Sequence, residues 1–229
     1  MVGDVFYECN VAGQRGKVPE FRNAWAYLPG TRTEVQTICN TLKKDHKVEL
    51  LDSCKATEAA VVSKVNASTY DVLHFATHGF YFKENDPVFG VRGDTYPMIR
   101  SGIVLSGANN KEANVEPFNK LGMFTALDFL DMNLSNIKLV VLSTCHSGEG
   151  ENTQSDAPIG LILALLRQGI NAMILSNRPV PDKATTLFMT TFYRYLNMSP
   201  NVDECFTNTL KELVTKDPKT DWSFFDLVH

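Results

Sequence analysis

Residues Ile137 to Gly150 read IKLVVLSTCHSGEG. Residues 137–142 are almost unbroken aliphatic sequence, the mark of a strand buried on both faces. The run ends in small polar residues and one thiol, Cys145, with Gly148 three positions on and the acids Glu149 and Glu151 next. A cysteine that leaves a buried strand onto a small-residue turn lies at the strand's carboxyl end, where open α/β sheets place their active sites. Upstream, YDVLHFATHGF (residues 70–80) is another apolar strand, ending in His78-Gly79. The two strand ends supply a thiol and an imidazole, the components of nucleophilic catalysis by a Cys–His pair.

The flanking sequence alternates helix and strand. Residues 1–22 have weak periodicity and read as an ill-defined lead-in with a short strand near Val5. Ala24 to Leu28 reads as another short strand. Thr31-x-x-Glu34 has the form of a capping box, and the helix after it buries Val35, Ile38, Cys39 and Leu42. A strand is expected at 47–51 and a helix at 57–65. After Cys145, a helix runs from Asp156 and Pro158 to Gly169, followed by a strand at 171–176. Asp182 and Asn201 are expected to cap two further helices, and Trp222 to Val228 closes as an edge strand. This alternation predicts a parallel sheet covered on both faces. Two polar stretches, 83–100 and 108–120, break the rhythm and read as inserted loops. Long irregular loops in compact domains are usually functional, which makes them candidate gates.

Composition narrows the function classes. The 229 residues are 44% hydrophobic, enough for a substantial core, and carry a net charge of -4. That balance gives no case for nucleic-acid or membrane-surface binding. No apolar run reaches the roughly 18 residues of a membrane span, and Met1 is followed by Val2-Gly3-Asp4 rather than a secretory leader. Five cysteines, Cys9, Cys39, Cys54, Cys145 and Cys205, are an odd number without CxxC spacing. They predict no disulfide framework, no zinc site and a reducing, cytoplasmic setting.

HFATHG followed by VVLSTCHSG resembles the CHAT family of caspase-like cysteine peptidases, a group that includes caspases, metacaspases, gingipains and separase. WAYLPGTRTEV, RSGIVLSGAN, PVPDKAT and DWSFFDLV extend the resemblance over nearly the whole chain. It implies one caspase-like domain over 1–229, a three-layer α/β/α sandwich with a mainly parallel central sheet. It implies a cysteine endopeptidase with Cys145 as nucleophile and His78 as proton-transfer partner. Backbone N–H groups of Cys145 and Gly79 would bind the oxyanion, with no metal or cofactor. The implied partners are a protein or peptide substrate and a gating module, such as the tetratricopeptide repeats behind which these domains are often found. Gly79 is expected to be glycine because the chain turns sharply beside the reacting carbonyl.

Other residues compete for roles. His74 shares a strand side with His78 but sits inside the apolar run, as a hydrogen-bonded core residue would. His146 follows the nucleophile as in the CHSG of metacaspases and reads as a neighbour. Metacaspases carry an acid two residues before the nucleophile, which helps bind a basic P1 side chain; here that position is Ser143. CHAT sequences usually have an aromatic residue after the 171–176 strand; here stand Asn177 and Arg178, in a loop that lines the S1 pocket of caspases. Arg178 is either a solvated loop arginine or a group favouring an acidic P1 side chain. The competing reading is a catalytically silent domain that keeps the fold and docks proteins. A small-molecule acyl hydrolase lacks the GxSxG or GxCxG elbow it would need.

Overall fold

The computed structural model describes residues 1–9, 24–81, 97–110, 122–146, 159–178 and 180–229, and of Pro97, Cys145 and His146 the backbone only. Strands β1 (Val2–Val5), β2 (Leu51–Ser53), β3 (Val72–Tyr81), β6 (Leu139–His146), β7 (Met173–Ser176) and β8 (Phe225–Val228) line up in the order β2-β1-β3-β6-β7-β8. All neighbours are parallel except β7 and β8. The last residues of β3 also pair with an antiparallel ribbon, β4 (Ser101–Val104) and β5 (Met123–Thr125). Helices cover both faces: α1 (Pro29–Leu42), α5 (Asp182–Leu196) and α6 (Val202–Lys216) on one, α2 (Glu58–Ala67) and α4 (Ile159–Arg167) on the other. A short turn of helix, α3 (Pro97–Arg100), leads into β4. The architecture is the mixed, mostly parallel α/β/α arrangement of the caspase-like fold.

Alternation along β6 feeds two cores. Val140 and Leu142 join Phe75, Val61, Leu161 and Leu165 on the α2/α4 face, whereas Leu139 and Val141 join Ile38, Phe188 and Phe192 on the other. Both sets are buried, so the unbroken aliphatic run is what a two-faced strand needs. Gly169 ends α4 at φ +79, a conformation that costs glycine little. The Asn201 side chain accepts from the Glu204 N–H and caps α6.

Several expectations need correction. The short strand expected near Val5 is β1, but residues 1–9 are no ill-defined lead-in: β1 lies between β2 and β3, and Val5, Tyr7 and Cys9 are buried, while 10–22 lie outside the described residues. The 47–51 strand is displaced to Leu51–Ser53, and 24–28 pairs with no strand among the described residues. Helix α1 starts at Pro29, two residues before the expected cap. Thr31 Oγ1 instead donates to the Leu28 carbonyl and accepts from the Asp4 N–H. The box fails because Glu34 is claimed by the interior: its carboxylate accepts from His74 Nε2 at 3.0 Å. Of the expected loops, 97–100 is helical, 108–110 forms a turn, and 83–96 and 111–120 lie outside the described residues. Cys9 and Cys54 are joined in a disulfide that clips the chain after β1 to the chain after β2. A pair 45 residues apart has no local spacing signal, and its presence removes the inference of a reducing compartment drawn from the cysteine count. Cys39 and Cys205 are free and buried.

His74 is the core residue its position implied. The Tyr193 hydroxyl donates to its Nδ1 at 3.1 Å while Nε2 donates to Glu34, and all three residues are 1% exposed. The network ties α1 and α5 to β3. Glu34→Ala is expected to destabilise the chain by about 3 kcal/mol, since it strands a buried imidazole N–H, and Tyr193→Phe by about 1 kcal/mol. Urea unfolding monitored by far-UV circular dichroism measures both; equal losses would show that the bonds matter less than the packing.

Candidate active site

Register brings the two predicted residues together. Strands β3 and β6 run parallel with His78 paired to Cys145, one step beyond Thr77–Thr144 and two beyond Ala76–Ser143. Strand alternation places positions 141, 143 and 145 on the face that carries His74 and His78. The pair therefore sits at the carboxyl edge of the two central strands, above the small residues Ala76 and Ser143.

The His78 side chain is 2% exposed, between the rings of Tyr7 at 5.1 Å and Trp25 at 5.3 Å. Its Nε2 lies 2.7 Å from the Ala26 carbonyl oxygen. A carbonyl only accepts, so Nε2 carries the proton and a neutral ring keeps its lone pair on Nδ1. A backbone carbonyl, not an acid, therefore orients this ring. Burial pushes the His78 pKa below the ordinary histidine value, outweighing the upward pull of the Ala26 hydrogen bond and of the Asp182 charge. The shift favours the neutral ring over the imidazolium.

The rest of the site is built around this ring. Thr77 Oγ1 donates to the Val104 carbonyl at 2.5 Å, so the Tyr7 hydroxyl donates to Thr77 at 2.9 Å and fixes one wall. Asp182 does not cap its own helix, as the sequence suggested. Its carboxylate accepts the Gly30 N–H at 2.8 Å, at the start of α1. A side chain at position 30 would collide with that carboxylate, so the contact requires glycine. Gly79 lies inside the ladder, flanked by Ile103 of β4 and His146 of β6, and the chain does not turn there. A Cβ at position 79 would stand 3.1 Å from Thr144 Oγ1, a tight contact that Thr144 would have to yield to.

Of the residues proposed for substrate contact, Ser143 is buried and its hydroxyl has no hydrogen-bond partner among the described residues. Asn177 donates to the Ser223 carbonyl and to Asp226. Arg178 is paired with Asp221 at 2.6 Å and also donates to Ser223. Asp221 is held at about 2, first by the Ser223 backbone and hydroxyl and then by Arg178. The described part of the site contains no group of three or more metal-ligating side chains, and no described helix is long and apolar enough to cross a membrane. Ala26, Trp25 and Asn109 escape a reading by residue type, because Ala26 acts through its backbone and its side chain gives no signal.

Comparison with known proteins agrees with the fold. The model of the CHAT domain matches residues 16–228. Tetratricopeptide repeat protein 28 of Mus musculus is 28% identical over 185 residues, and its Homo sapiens counterpart 27%; each match covers 75% of this chain. The chain spans about 7% of the length of these curated relatives.

His78 gives a pH prediction. With a lowered pKa in the folded state, its stabilising contribution is full above the ordinary histidine value of about 6.5 and is lost as pH falls below it toward the folded pKa. An NMR titration of the ring should therefore show a midpoint below about 6.5. A midpoint above that value would mean that Asp182 outweighs burial.

Proposed function

The chain belongs to the CHAT domain family, a domain related to caspase-like cysteine peptidases, and on that premise we propose that it is a cysteine endopeptidase working through His78 and Cys145. The observation that carries the reading is the register of β3 on β6, which pairs His78 with Cys145 while the Ala26 carbonyl fixes the imidazole tautomer. In the proposed reaction, Cys145 sulfur attacks the peptide carbonyl carbon and its proton passes to His78 Nδ1. Backbone N–H groups at Cys145 and Gly79 take the developing oxyanion. The imidazolium then protonates the leaving amine as the C–N bond breaks, leaving a thioester. Water, deprotonated by the same imidazole, attacks the thioester and releases the acid and the thiol.

We place the activity in a single domain over 1–229. The named relatives are tetratricopeptide repeat proteins, which supports a repeat module as its regulatory partner. Ser143, Asn177 and Arg178 are the proposed substrate-side residues, with Ser143 first because its hydroxyl is buried without a hydrogen-bond partner among the described residues, whereas Arg178 already has an acid.

Two experiments test this. Iodoacetamide labelling with peptide mapping should mark Cys145 ahead of buried Cys39 and Cys205, whose thiol pKa values burial raises. His78→Ala should slow that labelling about a hundredfold, the usual contribution of a positioned base, and His74→Ala should slow it less. Labelling indifferent to His78→Ala would favour the silent docking domain instead. On a positional-scanning peptide library, Arg178→Ala should shift P1 preference less than about tenfold, in keeping with an exposed ion pair. A larger shift would put the guanidinium, not Ser143, in the pocket.

A further inference from the structure

The Ala26 carbonyl takes the Nε2 proton of His78, and the 24–28 segment carrying it pairs with no strand among the described residues. Backbone without a ladder must be held in another way. At Trp25, the neighbouring residue, the backbone N–H donates to Asn109 Oδ1 at 2.8 Å, and Asn109 Nδ2 donates back to the Trp25 carbonyl at 2.9 Å. The side-chain amide thus stands in for a missing strand neighbour, bonding both polar groups of one residue.

Asn109 itself is 3% exposed and firmly placed. Its N–H donates to the Tyr7 carbonyl at 2.8 Å, and Tyr7 is the other wall of the His78 ring. The turn that presents it is pinned from both sides. Ser106 N–H donates to the Ala56 carbonyl and Ser106 Oγ to the Phe6 carbonyl. Gly107 then takes φ +94, which its lack of a Cβ allows, and Asn110 N–H closes on its carbonyl. The chemistry at position 109 is restrictive. A carboxylate could accept from Trp25 N–H but could not donate to its carbonyl, and an aliphatic side chain could do neither.

We infer that Asn109 is a positioning residue for His78: by clamping both backbone groups of Trp25 it holds the adjacent Ala26 carbonyl against Nε2 and keeps the lone pair on Nδ1. This rests on the reading of His78 as the proton-transfer partner of Cys145, but the clamp can be read directly. The chain has five histidines, so a histidine-selective ¹⁵N spectrum of the full chain resolves the ring tautomers, with His78→Ala assigning its signal. In the unaltered chain His78 should be a single Nε2–H tautomer. Asn109→Leu should convert it to a mixture of tautomers while the His74 signals, reporting the Glu34–His74–Tyr193 network, stay in place. Cys145 alkylation should fall about ten- to a hundredfold with its pH profile displaced, as expected for a catalytic group moved by up to an ångström. Asn109→Asp, which keeps the acceptor and loses the donor, should give an intermediate mixture, and it decides the matter where Asn109→Leu does not fold. A His78 ring that stays wholly Nε2–H in either folded variant overturns the inference, as does a mixed tautomer in the unaltered chain. The failures are separable: if His78→Ala leaves Cys145 labelling unchanged, the peptidase reading falls and the tautomer spectra still judge the clamp.

Discussion

Eight consecutive residues of β3, Val72 to Gly79, lie in parallel register on eight of β6, Leu139 to His146. Slipping one strand against the other by a single residue would move every side chain of that strand to the opposite face. A slip of β3 would take His74 away from Glu34 and Tyr193 to the face of Phe124 and Phe129, and Phe75 would lose its own core. Each buried aliphatic side chain is worth about 1.5–3 kcal/mol, so many such terms punish the slip at once. The register is therefore set by the cores, and the pairing of His78 with Cys145 follows without any interaction between them.

The same economy governs the polar groups. Below the site, the Glu34–His74–Tyr193 network locks α1 and α5 to the sheet; at the site, Asp182 joins the starts of α5 and α1 through Gly30. The chain leading into α1 is thus held at Trp25 by Asn109 and at Gly30, one residue into the helix, by Asp182. The carbonyl that orients His78 lies between these two anchors. Burial settles the ring's charge, since desolvation exceeds the combined effect of the carbonyl and Asp182. In the proposed reaction the nearby carboxylate becomes useful only when the imidazolium forms.

Much of this was legible where the signal is local. The aliphatic run at 137–142, the His78-Gly79 ending, the Gly169 terminator and the Asn201 cap all depend on neighbours within a few residues, and the structure places each near its expected position. What escaped depends on partners far along the chain. Thr31 and Glu34 have the sequence of a capping box, but Asp4 and His74 outbid the helix end for their side chains. Asp182 reads as a cap until Gly30, 152 residues away, takes its carboxylate. Strand β5 escaped because three residues at 123–125 are too short for periodicity. Cys9 and Cys54 share no motif, and the Ala26 carbonyl has no side-chain signature at all.

Arg178, in the loop after β7, is already matched by Asp221, and that bears on which group can discriminate among substrates. Arg178 would have to exchange Asp221 for a substrate carboxylate, one exposed ion pair for another, and such pairs are worth about 0–1 kcal/mol. The difference between two of them is smaller still, a preference of a few-fold at most. Ser143, two residues before Cys145, is neutral and buried, with no hydrogen-bond partner among the described residues. A buried polar group left without a partner costs about 1–3 kcal/mol. A side chain able to bond that hydroxyl would recover this cost, whereas an apolar one of equal size would not. On the proposed reading, a single uncharged hydroxyl therefore outweighs the guanidinium, and hydrogen-bonding capacity rather than charge sets the P1 preference.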